Sequence, residues 1–295
     1  MTEPAESSLA TLRVSCTDRR GLVAALAQLL SGYGANILDS DQHTDRQAGQ
    51  FFQRIVFDIA GLTTDRATLR RAIDEVSQRF SMNAALTFAT DDQGAPNKKR
   101  VALFVSKADH CLYDLLLRHR AGELRADFAV IVSNHADLQP IAAQFDVPFV
   151  LSARTAENKR EAEDNELALL ESDRIDLVVL ARYMQVLSDE FVARFPQRII
   201  NIHHSFLPAF VGGRPYHQAH ERGVKLIGAT AHYATSLLDE GPIIEQDVVR
   251  CSHRDTVQDL IRKGRDLERT VLARAVRWHL EDRVLAYSNK TVVFE

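Results

Sequence analysis

The hydrophobic pattern of the chain changes character once, at the polar stretch DDQGAPNKKR, residues 91–100. Before it, apolar residues mostly alternate with polar ones. After it they run without interruption, as in VALFVS from Val101, DFAVIVS from Asp127 and DLVVL from Asp176. A strand that is apolar on both sides must be covered on both sides, the situation of a parallel sheet with helices packed on each face. A strand that alternates needs cover on one face only. Both patterns in one chain, separated by a turn-rich and apolar-poor segment, read as two domains with a linker at 91–100. The 295 residues are enough for two cores.

In the first domain, residues 9–90, LATLRVSC places Leu12, Val14 and Cys16 on one face. From Gly21 to Tyr33, the residues Leu22, Leu26, Leu29, Leu30 and Tyr33 recur at helical spacing. A short strand is expected around Ile37 and Leu38. FFQRIVFDI then groups Phe51, Ile55, Phe57 and Ile59, and Leu69, Ile73, Val76 and Phe80 form a second helical stripe. A closing strand carries Ala84, Leu86 and Phe88. The order strand, helix, strand, strand, helix, strand is the ferredoxin-like arrangement, with both helices on one face of an antiparallel sheet. An apolar face left open by that arrangement favours a homo-oligomer. Residues 1–8 read as a flexible tail, since MTEPAESSLA has neither the basic nor the apolar region of a secretory signal.

The segments CTDRRGLVAALAQLL and GANILDSDQHTD resemble the amino-acid-sensing ACT domain family. The resemblance implies a small-ligand site at the first strand-to-helix turn and the facing strand: Asp18, Arg19, Gly21, Leu22, Asn36 and Ile37. Glycine and methionine are the effectors it suggests. A helix start offers free N–H groups to a carboxylate. The plainer alternative is a domain that only assembles the protein. Arg20 stands where relatives usually carry proline.

The second domain, residues 101–295, alternates buried-type strands with helical segments and reads as an open α/β sheet, mostly parallel. It ends in a long helix from about Asp255 to Arg283 and a hairpin around Asn289. Such sheets place ligand chemistry past the carboxyl ends of their strands. Asn134 and His135, Arg182 and Tyr183, and Asn201 to His204 occupy such positions. No GxGxxG follows the first strand and no GxxxxGK[ST] is present, so a nucleotide-binding loop is not indicated. Gly212 and Gly213 read as a simple turn.

Asn201, His203, His232 and Asp239 can converge at one strand end. No serine or cysteine stands at nucleophile-elbow spacing, which argues against a covalent acyl intermediate. His203, His232 and Asp239 would supply three metal ligands, but adjacent histidines alone are a poor ligand signature, and no metal is expected. An amide can hold a carbonyl oxygen as it gains charge, an imidazole can exchange protons near neutrality, and a carboxylate can orient water. A carboxylate with an ordinary pKa is a weak base, so Asp239 needs either burial that raises it or a histidine that shares the task.

NIHHSFLPAFVG, followed by PYHQAHERGVKLIGATAHYATSLLDEGPIIEQDV, resembles folate-dependent formyl transferases through the pattern N-I-H, T-x-H and D-x-G-x-I-I. That resemblance implies Asn201, His203 and Asp239 as the reacting set, with His232 between them. With VSKADHCLYDLLLRHRAGEL, LARYMQVLS and RKGRDLERTVLARAVRWHLEDRV, nearly the whole chain resembles the formyltetrahydrofolate deformylase family. The resemblance implies an ACT domain joined to a formyl transferase-like domain. It also implies 10-formyltetrahydrofolate as substrate, no cofactor, and water in place of an amine acceptor. Ser106, Lys107, Arg182, Tyr183, Met184, Val186 and Leu187 are then the folate-binding residues. His204 stands where the amine-formylating relatives usually carry proline and is expected to support the water or His203. Phe149 is followed by Val150 and Leu151, where relatives often carry two histidines, so the folate side of this chain differs. Two alternatives stay open at this point: formyl transfer to an amine, and a non-catalytic sensor of folate and amino acids.

The formal charge of −4 is spread with both signs mixed, which gives no reason to expect nucleic acid or an anionic membrane as partner. Cys16, Cys111 and Cys251 lie far apart and read as reduced, buried residues of a cytoplasmic protein.

Overall fold

The computed structural model describes residues 5–155, 157–209 and 215–295. The Gly212–Gly213 turn and residues 1–4 of the tail lie outside them. The chain divides into two compact units. One runs through Lys98 and takes in Asp282–Leu285 and Val292–Glu295, and the other comprises Lys99–Glu281 and Ala286–Thr291.

The first unit contains β1 (Leu9–Thr17), α1 (Leu22–Gly32), β2 (Asn36–Asp45), β3 (Gln50–Asp58), α2 (Arg66–Phe80) and β4 (Asn83–Phe88). The strands form an antiparallel sheet in the order β2-β3-β1-β4. Leu12, Val14, Leu26, Leu30, Ile55, Phe57, Leu69 and Ile73 close its core. β2 is longer than the short strand expected around Ile37. Its sequence NILDSDQHTD has no apolar alternation, and the edge strand is held by its backbone ladder with β3 and not by buried side chains. The second face of the sheet carries Arg13 and Arg54 beside the buried Phe52. Arg13 Nη2 pairs with Asp282 at 3.0 Å and Arg54 Nε donates to the Asp282 carbonyl at 3.1 Å. Val284 and Phe294 are buried in the same unit. The chain's own end therefore meets the face that was expected to be apolar and open.

The second unit begins with β5 (Lys99–Val105), α3 (His110–Arg120), β6 (Ala126–Ser133), α4 (Gln139–Gln144) and β7 (Phe149–Leu151). It continues through α5 (Lys159–Ser172), β8 (Leu177–Leu180), α6 (Asp189–Arg194), β9 (Ile199–His203), α7 (Pro215–Glu221), β10 (Leu226–Tyr233), β11 (Ile243–Arg250) and α8 (Val257–Leu280). A final hairpin, β12 (Val284–Tyr287) and β13 (Lys290–Val293), closes the chain. The seven-stranded sheet has the order β11-β10-β9-β8-β5-β6-β7. Neighbours from β9 to β7 are parallel, and β10 is antiparallel to both β9 and β11. β8 is buried along its length and β5 from Val101 onward, as their apolar runs require.

The connectivity fixes where a ligand can enter. After β5 the chain moves outward through β6 and β7, then returns to β8 on the other side of β5. The loops that follow β5 and β8 therefore leave in opposite directions and open a crevice at their carboxyl ends. The SKADH turn and the ARYMQVLS segment are those two loops. Thr256 and Asp259 cap the start of α8 reciprocally. Among the described residues, no helix is long and apolar enough to cross a membrane.

Candidate active site

Strand geometry assembles the first three groups. Asn201 and His203 are two residues apart on β9, so the period-two pleat turns both to one face. β10 runs back along β9 with His232 directly opposite Asn201 and Thr230 opposite His203. Directly opposed residues have Cβ atoms about 4.5–5.5 Å apart. Asn201 Nδ2 lies 3.2 Å from His232 Nε2. The spacing T-x-H has a second purpose. Thr230 Oγ1 donates to the Ser205 carbonyl at 2.9 Å and accepts from Leu207 N at 3.1 Å, which holds the turn that follows His203. Gln246 Nε2 also donates to Thr230 Oγ1 at 2.9 Å and to the Leu207 carbonyl at 3.1 Å.

Asp239 is delivered by the loop between β10 and β11, where it adopts φ +57°. Tyr233 N donates to the Pro242 carbonyl at 2.9 Å, so the loop folds flat against the end of β10. A Cβ on Gly241 would overlap the Tyr233 carbonyl oxygen, which explains the glycine of D-x-G-x-I-I. Gly241→Ala is expected to lift the loop, pull Asp239 from His203 and lower kcat at least about tenfold, or about 1.4 kcal/mol in the barrier. Wild-type kcat in that variant would show that the close approach does not set the geometry.

Asp239 Oδ2 lies 3.2 Å from His203 Nδ1, and Oδ1 lies 3.6 Å from His232 Nε2. The hydrogen bond from His203 holds the carboxyl well below the usual carboxylate range against the opposing effect of burial. Asp239 is thus a firm anion. Burial does not raise it as one expectation required, and the histidine at its side is His203. An ionised carboxylate only accepts, so His203 Nδ1 carries the hydrogen and Nε2 of the neutral ring keeps its lone pair. Among the described residues, His203 Nε2 is buried and has no hydrogen-bond partner. His232 Nδ1 lies 3.0 Å from the Tyr233 carbonyl. That nitrogen donates, its Nε2 accepts from the Asn201 amide, and the NH2 end of Asn201 is fixed towards His232 with one hydrogen left over.

The His204 ring lies 5.2 Å from that of His203. Burial first, and then the charge of Arg182, push its pKa down to about 4, so it is neutral near pH 7. In the unfolded chain a histidine titrates at about 6.5. The folded state therefore binds fewer protons between about pH 4 and 6.5, and stability falls as the pH falls through that window. His204→Gln is expected to flatten this decline in denaturant melts. An unchanged slope would place the proton uptake elsewhere.

The expected folate residues divide into two sets. Lys107, Met184 and Val186 are exposed beside the crevice. Ser106, Arg182, Tyr183 and Leu187 face inward. Ser106 Oγ donates to Asn134 Oδ1 at 2.7 Å and accepts from Met184 N at 3.0 Å, bracing the loops after β5, β6 and β8. Tyr183 packs edge-on to Phe104 at 5.2 Å, and Leu187 joins the same core. Arg182 lies 3.4 Å from Glu268. At the end of β7, Leu151 is exposed, and the chain beyond is pinned by buried Arg154, which pairs with Glu163 at 2.9 Å and with Glu166. Sequence patterning missed Arg154, Glu163, Glu166 and Glu268, because acids within charge-rich helical sequence look like a solvated face.

His110, Cys111 and Glu268 bring their ligand atoms within 4.8 Å of one another. They do not suit a cation. Burial and the charge of Glu268 push the Cys111 thiol pKa well up, while Glu268 already accepts from Tyr216 and pairs with His110. A cavity of about 270 Å³ is lined by His110 and the α8 residues Arg262, Arg265 and Arg269, and the Asn201–His203–Asp239 group takes no part in it. In the first unit a cavity of about 400 Å³ is lined by Asp18, Arg19, Gly21 and Leu22, with Gln42 and Thr44 across from them. Asn36 and Ile37 do not line it. Ile37 packs against the core of that unit.

The formyl transferase family profile matches residues 99–276, and the ACT domain profile matches residues 10–74. A formyltetrahydrofolate deformylase of Synechocystis is 56% identical over 97% of this chain and 98% of its own. The chain belongs to the formyltetrahydrofolate deformylase family. The family member of Bacillus subtilis is 50% identical over 96% of this chain and 93% of its own. The crystal structure of the family member from Pseudomonas syringae superposes with a TM-score of 0.93 at 44% identity, covering 97% of this chain and 94% of that one. The deformylase family's two-domain make-up is thus present along the whole length, in an ACT domain and a formyl transferase domain.

Proposed function

We propose that the second unit hydrolyses 10-formyltetrahydrofolate to formate and tetrahydrofolate, supplying formate for purine synthesis and balancing one-carbon pools. The supporting observation is the His203 imidazole, held at Nδ1 by ionised Asp239, with its buried Nε2 unpartnered among the described residues and Asn201 on the same face of β9. Water bound at Nε2 gives up a proton as its oxygen attacks the formyl carbon. The free hydrogen of the Asn201 amide, aimed by His232, meets the oxygen that gains charge. Asp239 stabilises the imidazolium formed on His203. That imidazolium then returns the proton to the folate nitrogen, the carbon–nitrogen bond breaks, and formate leaves. Each proton is carried by a side chain or water, and no cofactor enters. The exposed apolar residues Met184 and Val186 are proposed to cover the pterin, with Ser106 holding their loop, and Lys107 to meet the acidic end of the folate.

The cavity of the first unit is proposed to take an amino-acid effector such as glycine or methionine, carboxylate towards the start of α1. We further propose a cytoplasmic enzyme that forms a homo-oligomer through a free sheet edge of the first unit. The deciding experiment incubates the purified chain with 10-formyltetrahydrofolate and no amine. Formate release is expected. Release only when an amine is added would make the protein a transferase, and folate binding without turnover would make it a sensor.

A further inference from the structure

The hydrolytic centre leaves one buried cluster unused. Glu268, on α8, is about 1% exposed in its side chain, yet it stays ionised. Burial pushes its pKa up, but the hydrogen bond of His110 and the charge of Arg182 outweigh this and hold it low. Its Oε1 accepts from Tyr216 Oη at 2.7 Å, and its Oε2 lies 2.7 Å from His110 Nε2 and 3.4 Å from Arg182 Nε. Three segments thus meet on one carboxylate: the N-terminus of α3, the loop after β8, and α7. Each of them follows the carboxyl end of a parallel strand.

What these partners touch gives the cluster its purpose. The Tyr216 ring stands at 61° to the His204 ring with centroids 6.0 Å apart, and His204 in turn lies 5.2 Å from His203. The charges that face His204 come from Arg182, Glu268, His203 and Asp239. On its other side Tyr216 is confined by α8, where a Cβ on Gly264 would overlap the Tyr216 hydroxyl. An interior glycine costs a helix about 0.5–1 kcal/mol relative to alanine, so this one makes room at the expense of helix stability.

We propose that Glu268 is a positioning residue for the hydrolytic centre: it pins Tyr216 and Arg182 around His204 and so fixes the imidazole that packs against His203. Glu268 touches none of the reacting groups and acts through the ring of Tyr216. The inference rests on the hydrolytic reading of His203.

The test uses the full chain and the variants Tyr216→Phe, Glu268→Gln and Gly264→Ala. Each is expected to lower kcat for formate release by about 10–100-fold, the loss seen when a partner that orients a functional side chain is removed, with KM for 10-formyltetrahydrofolate unchanged. The Tyr216→Phe/Glu268→Gln double variant is expected to be no worse than Glu268→Gln, since both act through one ring. Gly264→Ala is the sharpest arm, because alanine favours the helix and the loss must come from displaced Tyr216. In parallel, the His204 ring resonance, assigned by its absence in His204→Gln, is expected to move in all three. Unmoved ring resonances, additive losses, or kcat and KM changing only in step with melting temperature would overturn the proposal. Formate release by the wild type tests the hydrolytic reading separately, and the ring resonance judges the positioning whether or not the enzyme turns over.

Discussion

Asp239→Asn is expected to lower kcat for formate release by about four orders of magnitude, the loss seen when an acid that sets a histidine tautomer becomes an amide. The reason is the direction of one hydrogen bond. Ionised Asp239 can only accept from His203 Nδ1, which leaves the lone pair on Nε2, buried and unpartnered among the described residues. Asparagine can turn its NH2 towards Nδ1. The ring then takes the opposite tautomer, and Nε2 becomes a donor with no capacity to take a proton. The shape of the site is retained, so KM should change little, while the variant should melt below the wild type near neutrality. Because the Asp239 pKa is lowered on folding, its ionised form stabilises the fold above the unfolded value of about 3.9. That contribution is lost as the pH falls below it, so the wild type and variant should converge in acid. Steady-state kinetics with 10-formyltetrahydrofolate decides the matter, and turnover near the wild-type rate would remove Asp239 from the reaction.

The second large effect belongs to Asn201. Its amide is oriented by His232 Nε2 at 3.2 Å, and that ring is set by the Tyr233 carbonyl at 3.0 Å. The donor is therefore in place before charge develops on the formyl oxygen, the condition under which such a group is most effective. Asn201→Ala should raise the barrier by about 2.7–4 kcal/mol, a fall in kcat of about 10²–10³. KM should hardly change, because the ground-state carbonyl asks little of the donor. A large rise in KM with kcat preserved would mean that Asn201 binds folate and does not stabilise the transition state.

The sequence made the main architecture readable wherever burial imposes a period. The continuous runs at Val101 and Leu177 are buried along both faces, and the long terminal helix is α8, Val257–Leu280. β2 was underestimated because an edge strand made of NILDSDQHTD owes its form to backbone pairing, which leaves no apolar rhythm. α4 and α7 escaped because six or seven residues complete too few turns to show one. The grouping of Asn201, His203, His232 and Asp239 was legible because two strands and one glycine turn carry it. The supporting charges were not. Glu268, Arg154, Glu163 and Glu166 sit at positions where sequence alone shows only polarity, and only the folded packing shows that Glu268 meets His110 and Tyr216 and that Arg154 meets Glu163 and Glu166.

The return of the C-terminus to the first unit bears on how the two halves can be studied. Arg13 and Arg54 find their counter-charge and acceptor on Asp282, so the small sheet is sewn from both ends of the polypeptide. Severing the backbone between residues 91 and 100 would not release a self-sufficient ACT domain. A fragment that stops at Lys98 would carry two arginines stripped of their shared anchor, and any ligand binding measured on such a fragment would report on an incomplete sheet.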